Sequence, residues 1–290
     1  MTKENIFKRD DTNLKKRKLI NTVMLSFCVI SGLLAVVPLV YIFFYTTAQG
    51  FTSLNIDFFT QLPKPVGEEG GGMANAIVGT LILVGLGSLV GIPVGIMSGI
   101  YVSEYSGSLF ANFVKFITDV LAGVPSIVIG IFAYGVVVLA MGRFSAIAGG
   151  FALGILMIPT VTRITEEMLK LVPHSLREAS LALGVSRWKT TIRVVLKTAS
   201  AGIVTGILLA IARAAGETAP LLFTSFGNRF WAESLDQPIA SLPVQIFNYA
   251  ISPYDDWHSQ AWAGAFVLIF IVFVVNLLVR IVTRKKYEQS

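Results

Sequence analysis

Six long apolar runs separated by polar segments dominate the chain: Leu19–Thr46, Ala76–Tyr101, Phe116–Met141, Ala146–Ile164, Thr198–Phe223 and Ala261–Thr283. A helix needs roughly 17–25 apolar residues to cross a bilayer, and each run supplies them. The pattern predicts an all-α membrane protein with six transmembrane helices. The first run is too long for the apolar core of a signal peptide and has no convincing small-x-small cleavage site, so it is expected to be retained. Two runs carry breaks. Gly123-Val124-Pro125-Ser126 predicts a broken third span, and Gly91-Ile92-Pro93-Val94-Gly95 places small residues and a proline in the second. Such residues let helices approach closely; kinks for gating and plain packing explain them about equally well.

Charge sets the expected orientation. Lys15, Lys16, Arg17 and Lys18 precede the first run, and Arg280, Arg284, Lys285 and Lys286 close the last. Lys170, Arg177, Arg187, Lys189, Arg193 and Lys197 fill the segment between the fourth and fifth. Lys and Arg mark the cytoplasmic side, so both termini and this loop are expected inside, which requires an even number of spans. Asp57, Glu68 and Glu69, and then Glu233, Asp236, Asp255 and Asp256, fall in the two long loops on the other side. The expected organisation is a cytoplasmic tail at 1–18, a six-helix domain at 19–283 with a cytoplasmic loop at 165–197, and a second tail at 284–290.

Composition supports this reading and excludes others. Charged residues make up 14% of the chain and hydrophobic ones 54%, whereas soluble domains carry about 25% charged residues. The net charge of +6 forms no aromatic-basic stripe of the kind that binds nucleic acid. Cys28 is the sole cysteine, so it has no disulfide partner and belongs to no metal-ligand set. The Gly67–Gly72 run reads as a flexible connector, and without a strand-turn-helix context it is no phosphate loop. Trp231, Trp257 and Trp262 form an interfacial belt, or else their loops form a platform for an outside partner.

Three places carry candidate chemistry. In the basic loop, Pro173 stops the preceding helix, and Ser175 and Glu178 have capping-box spacing. They predict a short helix from Ser175 toward Leu183, a turn at Gly184, and a second helix from Ser186 into span five. The product is an elbow across the cytoplasmic face; the alternative is a basic amphipathic loop lying on anionic lipid. The second place is Arg213 and Glu217, four residues apart inside the fifth run. Such spacing permits an ion pair on one helix face. Ionisable groups within a span cost at least ~2.5–3.5 kcal/mol on insertion scales and usually face an aqueous path or a substrate. Arg213 offers a fork of donors suited to tetrahedral oxyanions, although a buried pair that fixes helix packing needs the same residues. Arg163, at the inner end of span four with Glu166 and Glu167 following, is either a snorkelling cation or a second guanidinium at the exit.

Glu178-Ala179-Ser180, then Gly184, then Val194-Val195-Leu196 resembles the coupling signature of ABC importer permeases, which usually ends in proline where this chain has Lys197. The segments Arg213-x-x-Gly216-Glu217-Thr218-Ala219-Pro220, Gly123–Val128 and Pro159–Glu167 narrow the resemblance to permeases of phosphate-specific (Pst) importers, on the PstA side. It implies a type I ABC importer permease fold in the cell membrane, with Arg163, Arg213 and Glu217 on the substrate path. Glu178, Ala179 and Gly184 would couple the chain to an ATPase. It also implies a homologous PstC-type permease, PstB-type ATPases, a PstS-type extracytoplasmic phosphate-binding protein, and phosphate as substrate. ATP would be used by the partner ATPase, since this chain has no ATP-binding motif, no cofactor and no catalytic residues of its own. Glu217 would compete with the anion for Arg213, and could accept the remaining proton of hydrogen phosphate, which sulfate lacks. A permease for sulfate or molybdate, an ion-coupled secondary transporter, and a signalling or scaffold membrane protein that senses phosphate without moving it are the alternatives.

Overall fold

The computed structural model describes residues 3–65, 68 and 70–287, in two compact units, Met1–Gln49 and Gly50–Ser290. The described part of the first unit lies within α1 (Lys3–Thr52), whose apolar stretch Asn13–Thr52 is long enough to cross a membrane. Gly67 and Glu69 of the expected glycine connector lie outside the described residues, as do the last three residues of the C-terminal tail and the side chains of the basic cluster 280–286.

The regular structure of the second unit is helical, with one isolated β-bridge, Phe226–Ile239, and no strand among the described residues. It comprises α2 (Ile56–Thr60), α3 (Ala74–Glu104), α4 (Leu109–Gly123), α5 (Ser126–Ala133), a π turn (Tyr134–Val138), α6 (Leu139–Met141) and α7 (Ala146–Lys170). Then follow α8 (His174–Ala182), α9 (Arg187–Thr190), a second π turn (Thr191–Val195), α10 (Leu196–Ala215), α11 (Ala219–Thr224), α12 (Leu242–Ala250) and α13 (Asp255–Tyr287). Over the whole chain, five described helices can cross a membrane alone, and the pair Leu109–Gly123 and Ser126–Met141, bent by 106°, makes the sixth candidate. The bend falls at Val124-Pro125, where the sequence predicted a break, because proline cannot continue the hydrogen-bond ladder.

The core of this unit is the seam between α3 and α7. Gly87, Gly91, Gly95 and Gly99 recur every fourth residue on α3 and are buried. A Cβ on each would lie 2.9, 2.8, 2.6 and 2.6 Å from Leu153 Cβ, Gly154 O or Met157 Cβ, Val161 Cβ and Thr165 Cβ of α7, respectively. No side chain fits at such separations. The glycines therefore bring the two backbones together, with Leu83, Leu153, Met157 and Val161 filling the space beside them. Gly202 and Gly206 seat α10 on Met168 and Ile164 of α7 in the same manner.

The segment between α11 and α12 folds back over the end of α7. The Ser145, Ala146 and Ile147 amides donate to the Thr224, Gln237 and Leu235 carbonyls at 3.0, 3.0 and 3.1 Å. Those bonds satisfy donors that a helix start leaves open. Asn75 donates to Asn228 O at 2.6 Å, and Arg143 pairs with Asp236 at 3.0 Å. The Ser234 hydroxyl above all, with a lesser contribution from the Arg143 guanidinium, holds the Asp236 carboxyl below its ordinary pKa against the opposing effect of desolvation. Trp257 stacks on Tyr249 at 4.4 Å between ring centres, so it packs within the unit, while Trp231 is half exposed.

Candidate functional site

Arg213 occupies the last turn of α10, where a cation is favoured by the helix dipole. The helix then stops. Gly216 caps it, and Glu217 and Thr218 lie in a break before α11. The expectation of a span running Thr198–Phe223 is corrected here. The membrane-crossing helix runs from Arg187 to Ala215, so Arg213 sits at the end farthest from the elbow and Glu217 lies outside the helix. The physical reason is Gly216 followed by Pro220: glycine weakens the helix, and proline at the start of α11 has no amide to continue it.

The break still allows the expected ion pair. Arg213 Nε lies 3.6 Å from Glu217 Oε1, with the arginine side chain 57% exposed and the glutamate 16%. This separation is an ion pair but too long for a good hydrogen bond. The two terminal nitrogens of Arg213 have no partner among the described residues. A guanidinium held loosely by one edge keeps its fork open to a tetrahedral anion. Behind the break, Gly130 of α5 lies against Pro220, where a Cβ would come 2.6 Å from the proline Cα. That contact pins α11 beside the bent span.

Arg163 makes a second pair of the same form, Nε to Glu167 Oε1 at 3.6 Å, with both side chains more than half exposed. It lines a cavity of about 180 Å³ between α4 and α7. Glu166 and Glu167 were expected beside Arg163, but sequence reasoning missed that Lys115, Thr118 and Asp119 of α4 line the same cavity. Glu166 is buried and pairs with Lys115 at 3.5 Å and with Lys170, while the buried Thr162 hydroxyl has no hydrogen-bond partner among the described residues. Arg163 and Arg213 are not brought together; each is held by its own carboxylate.

The elbow forms largely as expected. α8 and α9 meet at Gly184, whose φ of +78° suits glycine. Val185 N donates to Ser180 O at 3.3 Å and Gly184 N to Leu181 O at 2.9 Å, the paired bonds of a Schellman cap. The Ser180 and Thr190 hydroxyls bond at 2.9 Å and staple α8 to α9. The Ser175–Glu178 capping box does not form. The helix starts one residue earlier, at His174 after Pro173, so Ser175 is already inside it and no side chain caps the start. Glu178, Ala179 and Gly184 are exposed, as are Leu176, Leu183 and Trp188. Lys197, in place of the usual proline, continues α10 without a break. The residue missed here is Arg177, which reaches back to Glu104 of α3; its only signal was an arginine beside the motif glutamate.

Comparison with known proteins decides the family. Residues 91–286 match the model of the binding-protein-dependent transport system inner membrane component. The chain is 48% identical over 249 residues to the phosphate transport system permease protein PstA of Yersinia pestis, covering 86% of this chain and 84% of that protein. The PstA of Haemophilus influenzae is 44% identical over 271 residues, covering 93% and 96%. The chain belongs to the PstA family of transport permeases.

Its fold agrees. The inward-facing MetNI methionine ABC transporter superposes with a TM-score of 0.58 at 18% identity, over 73% of this chain and 92% of that one. A bacterial ABC transporter for the acidic polysaccharide alginate gives 0.57 at 15%, over 92% and 99%. The chain is thus a multi-pass membrane transport component with a type I ABC importer permease fold, and it acts within a complex of several subunits.

Proposed function

We propose that this chain is the permease subunit through which an ATP-driven importer moves inorganic phosphate into the cell. The observation that carries this is the 48% identity to a phosphate transport permease across most of both chains. In this reading a PstC-type permease completes the pore, PstB-type ATPases dock on the elbow around Glu178, Ala179 and Gly184, and a PstS-type protein delivers phosphate from outside. ATP is bound and hydrolysed by the ATPases alone. Both termini and the 165–197 loop face the cytoplasm.

The mechanism is alternating access. ATP binding closes the ATPases, moves the elbow, and opens the cavity outward; hydrolysis returns it inward. Phosphate meets the open fork of Arg213 and displaces Glu217, which takes the guanidinium back once the anion leaves. Arg163 receives the anion on the elbow side and exchanges it with Glu167 in the same way. The loose pairs support this reading, because an arginine with its own carboxylate binds an anion transiently and does not trap it. ATP-dependent uptake of radiolabelled phosphate by the reconstituted complex tests the proposal. Uptake that is blocked by vanadate and resists excess sulfate is expected; sulfate or molybdate uptake with no phosphate uptake would overturn it.

A further inference from the structure

We infer that Arg177 and Glu104 form a strut that carries the motion of the elbow into the α3–α7 pair. This rests on the reading of the elbow as the ATPase docking site. Arg177 lies on α8, one residue before Glu178, and points away from the exposed docking face. Its Nη1 donates to Glu104 Oε1, in the last turn of α3, and its Nη2 donates to the Leu169 carbonyl, at the end of α7, at 2.9 Å. One side chain thereby holds the ends of two membrane-crossing helices that are themselves locked together by Gly87, Gly91, Gly95 and Gly99.

The arrangement has the properties of a mechanical link. Both charged side chains are mostly buried, at 18% and 20% exposure, so water screens the pair little. Removing one partner leaves a largely buried charge uncompensated. Because α3 and α7 meet backbone to backbone, a displacement delivered at Glu104 and Leu169 moves them as one body; loosely packed helices would absorb it. By contrast, α8 is tied to the start of span five through the Ser180–Thr190 bond. The elbow therefore grips both the α3–α7 body and α10, which Gly202 and Gly206 seat on α7. A push on the elbow is delivered to both at once.

The test uses the reconstituted complex and reads phosphate moved per ATP hydrolysed, together with recovery of the assembled complex. Arg177→Gln and Glu104→Gln are expected to assemble and hydrolyse ATP while the ratio falls by about tenfold, within the range of ordinary coupling between sites. Arg177→Glu combined with Glu104→Arg recovers only the part carried by the ion pair, since a carboxylate at position 177 cannot donate to the Leu169 carbonyl. A wild-type ratio in both single variants overturns the strut. So does a parallel loss of uptake and hydrolysis at constant ratio, or loss of assembly in both, since either marks a folding brace. A wild-type complex that moves no phosphate overturns the functional reading and the strut together, whereas the variant outcomes bear on the strut alone.

Discussion

Arg213 carries the central chemistry of the proposed phosphate path, and its geometry makes that proposal specific. A single edge of the guanidinium engages Glu217 at 3.6 Å, and the fork faces open space. A charge-assisted hydrogen bond contributes about 1.5–3 kcal/mol, so Arg213→Gln should lower phosphate uptake by about 10- to 100-fold with the complex still assembled. Arg213→Lys keeps the charge but loses the planar fork, and its uptake should stay well below wild type; full recovery would mean that charge alone suffices. In the same proposal Glu217 bears on selectivity. If it accepts the proton of hydrogen phosphate, Glu217→Gln narrows the preference for phosphate over sulfate, and an unchanged preference in competition assays counts against that role. The residues themselves were visible in the sequence because charges stand out in an apolar run. Their setting was not. Gly216 looked like a tolerated glycine within a span, and only the structure puts Glu217 in a break beyond the helix end.

At the scale of elements, the glycine seam and the elbow are the two designed features. Gly95→Val would force α3 away from Val161, where even a Cβ comes within 2.6 Å. Overpacking of this kind costs about 1–3 kcal/mol, so the variant should melt at a lower temperature in detergent; an unchanged melting temperature would contradict so tight a seam. Gly184→Val acts locally, since a β-branched residue at φ +78° is strained by about 1–2 kcal/mol. It should weaken co-purification of the ATPase without removing the chain from the membrane, and undiminished co-purification would sink the docking role of the elbow. Much of this level was legible. The bend of 106° fell where Gly-Val-Pro-Ser interrupted the third run, and the turn at Gly184 came from its spacing after Glu178. The capping box failed because Pro173 already fixes the helix start. The Arg177–Glu104 contact spans 73 residues of sequence, a separation at which periodicity carries no signal.

For the whole molecule, hydropathy located the membrane-crossing segments, because lipid forces long apolar helices, and the placement of basic residues is the ground for the proposed sidedness. Sidedness can be read directly, since Cys28 is the sole cysteine. In a Cys28→Ser background, Lys16→Cys and Ser186→Cys should react with impermeant thiol reagents only from the cytoplasmic side, and Glu233→Cys only from outside. Any reversal would invert the proposed import direction of the path. The account as a whole turns on whether phosphate passes Arg213. The most direct measurement is ATP-dependent phosphate uptake by the reconstituted complex, wild type against Arg213→Gln, at matched complex content and under sulfate competition. The account predicts vanadate-sensitive, sulfate-resistant uptake by wild type and its loss in the variant; equal uptake by both would contradict it.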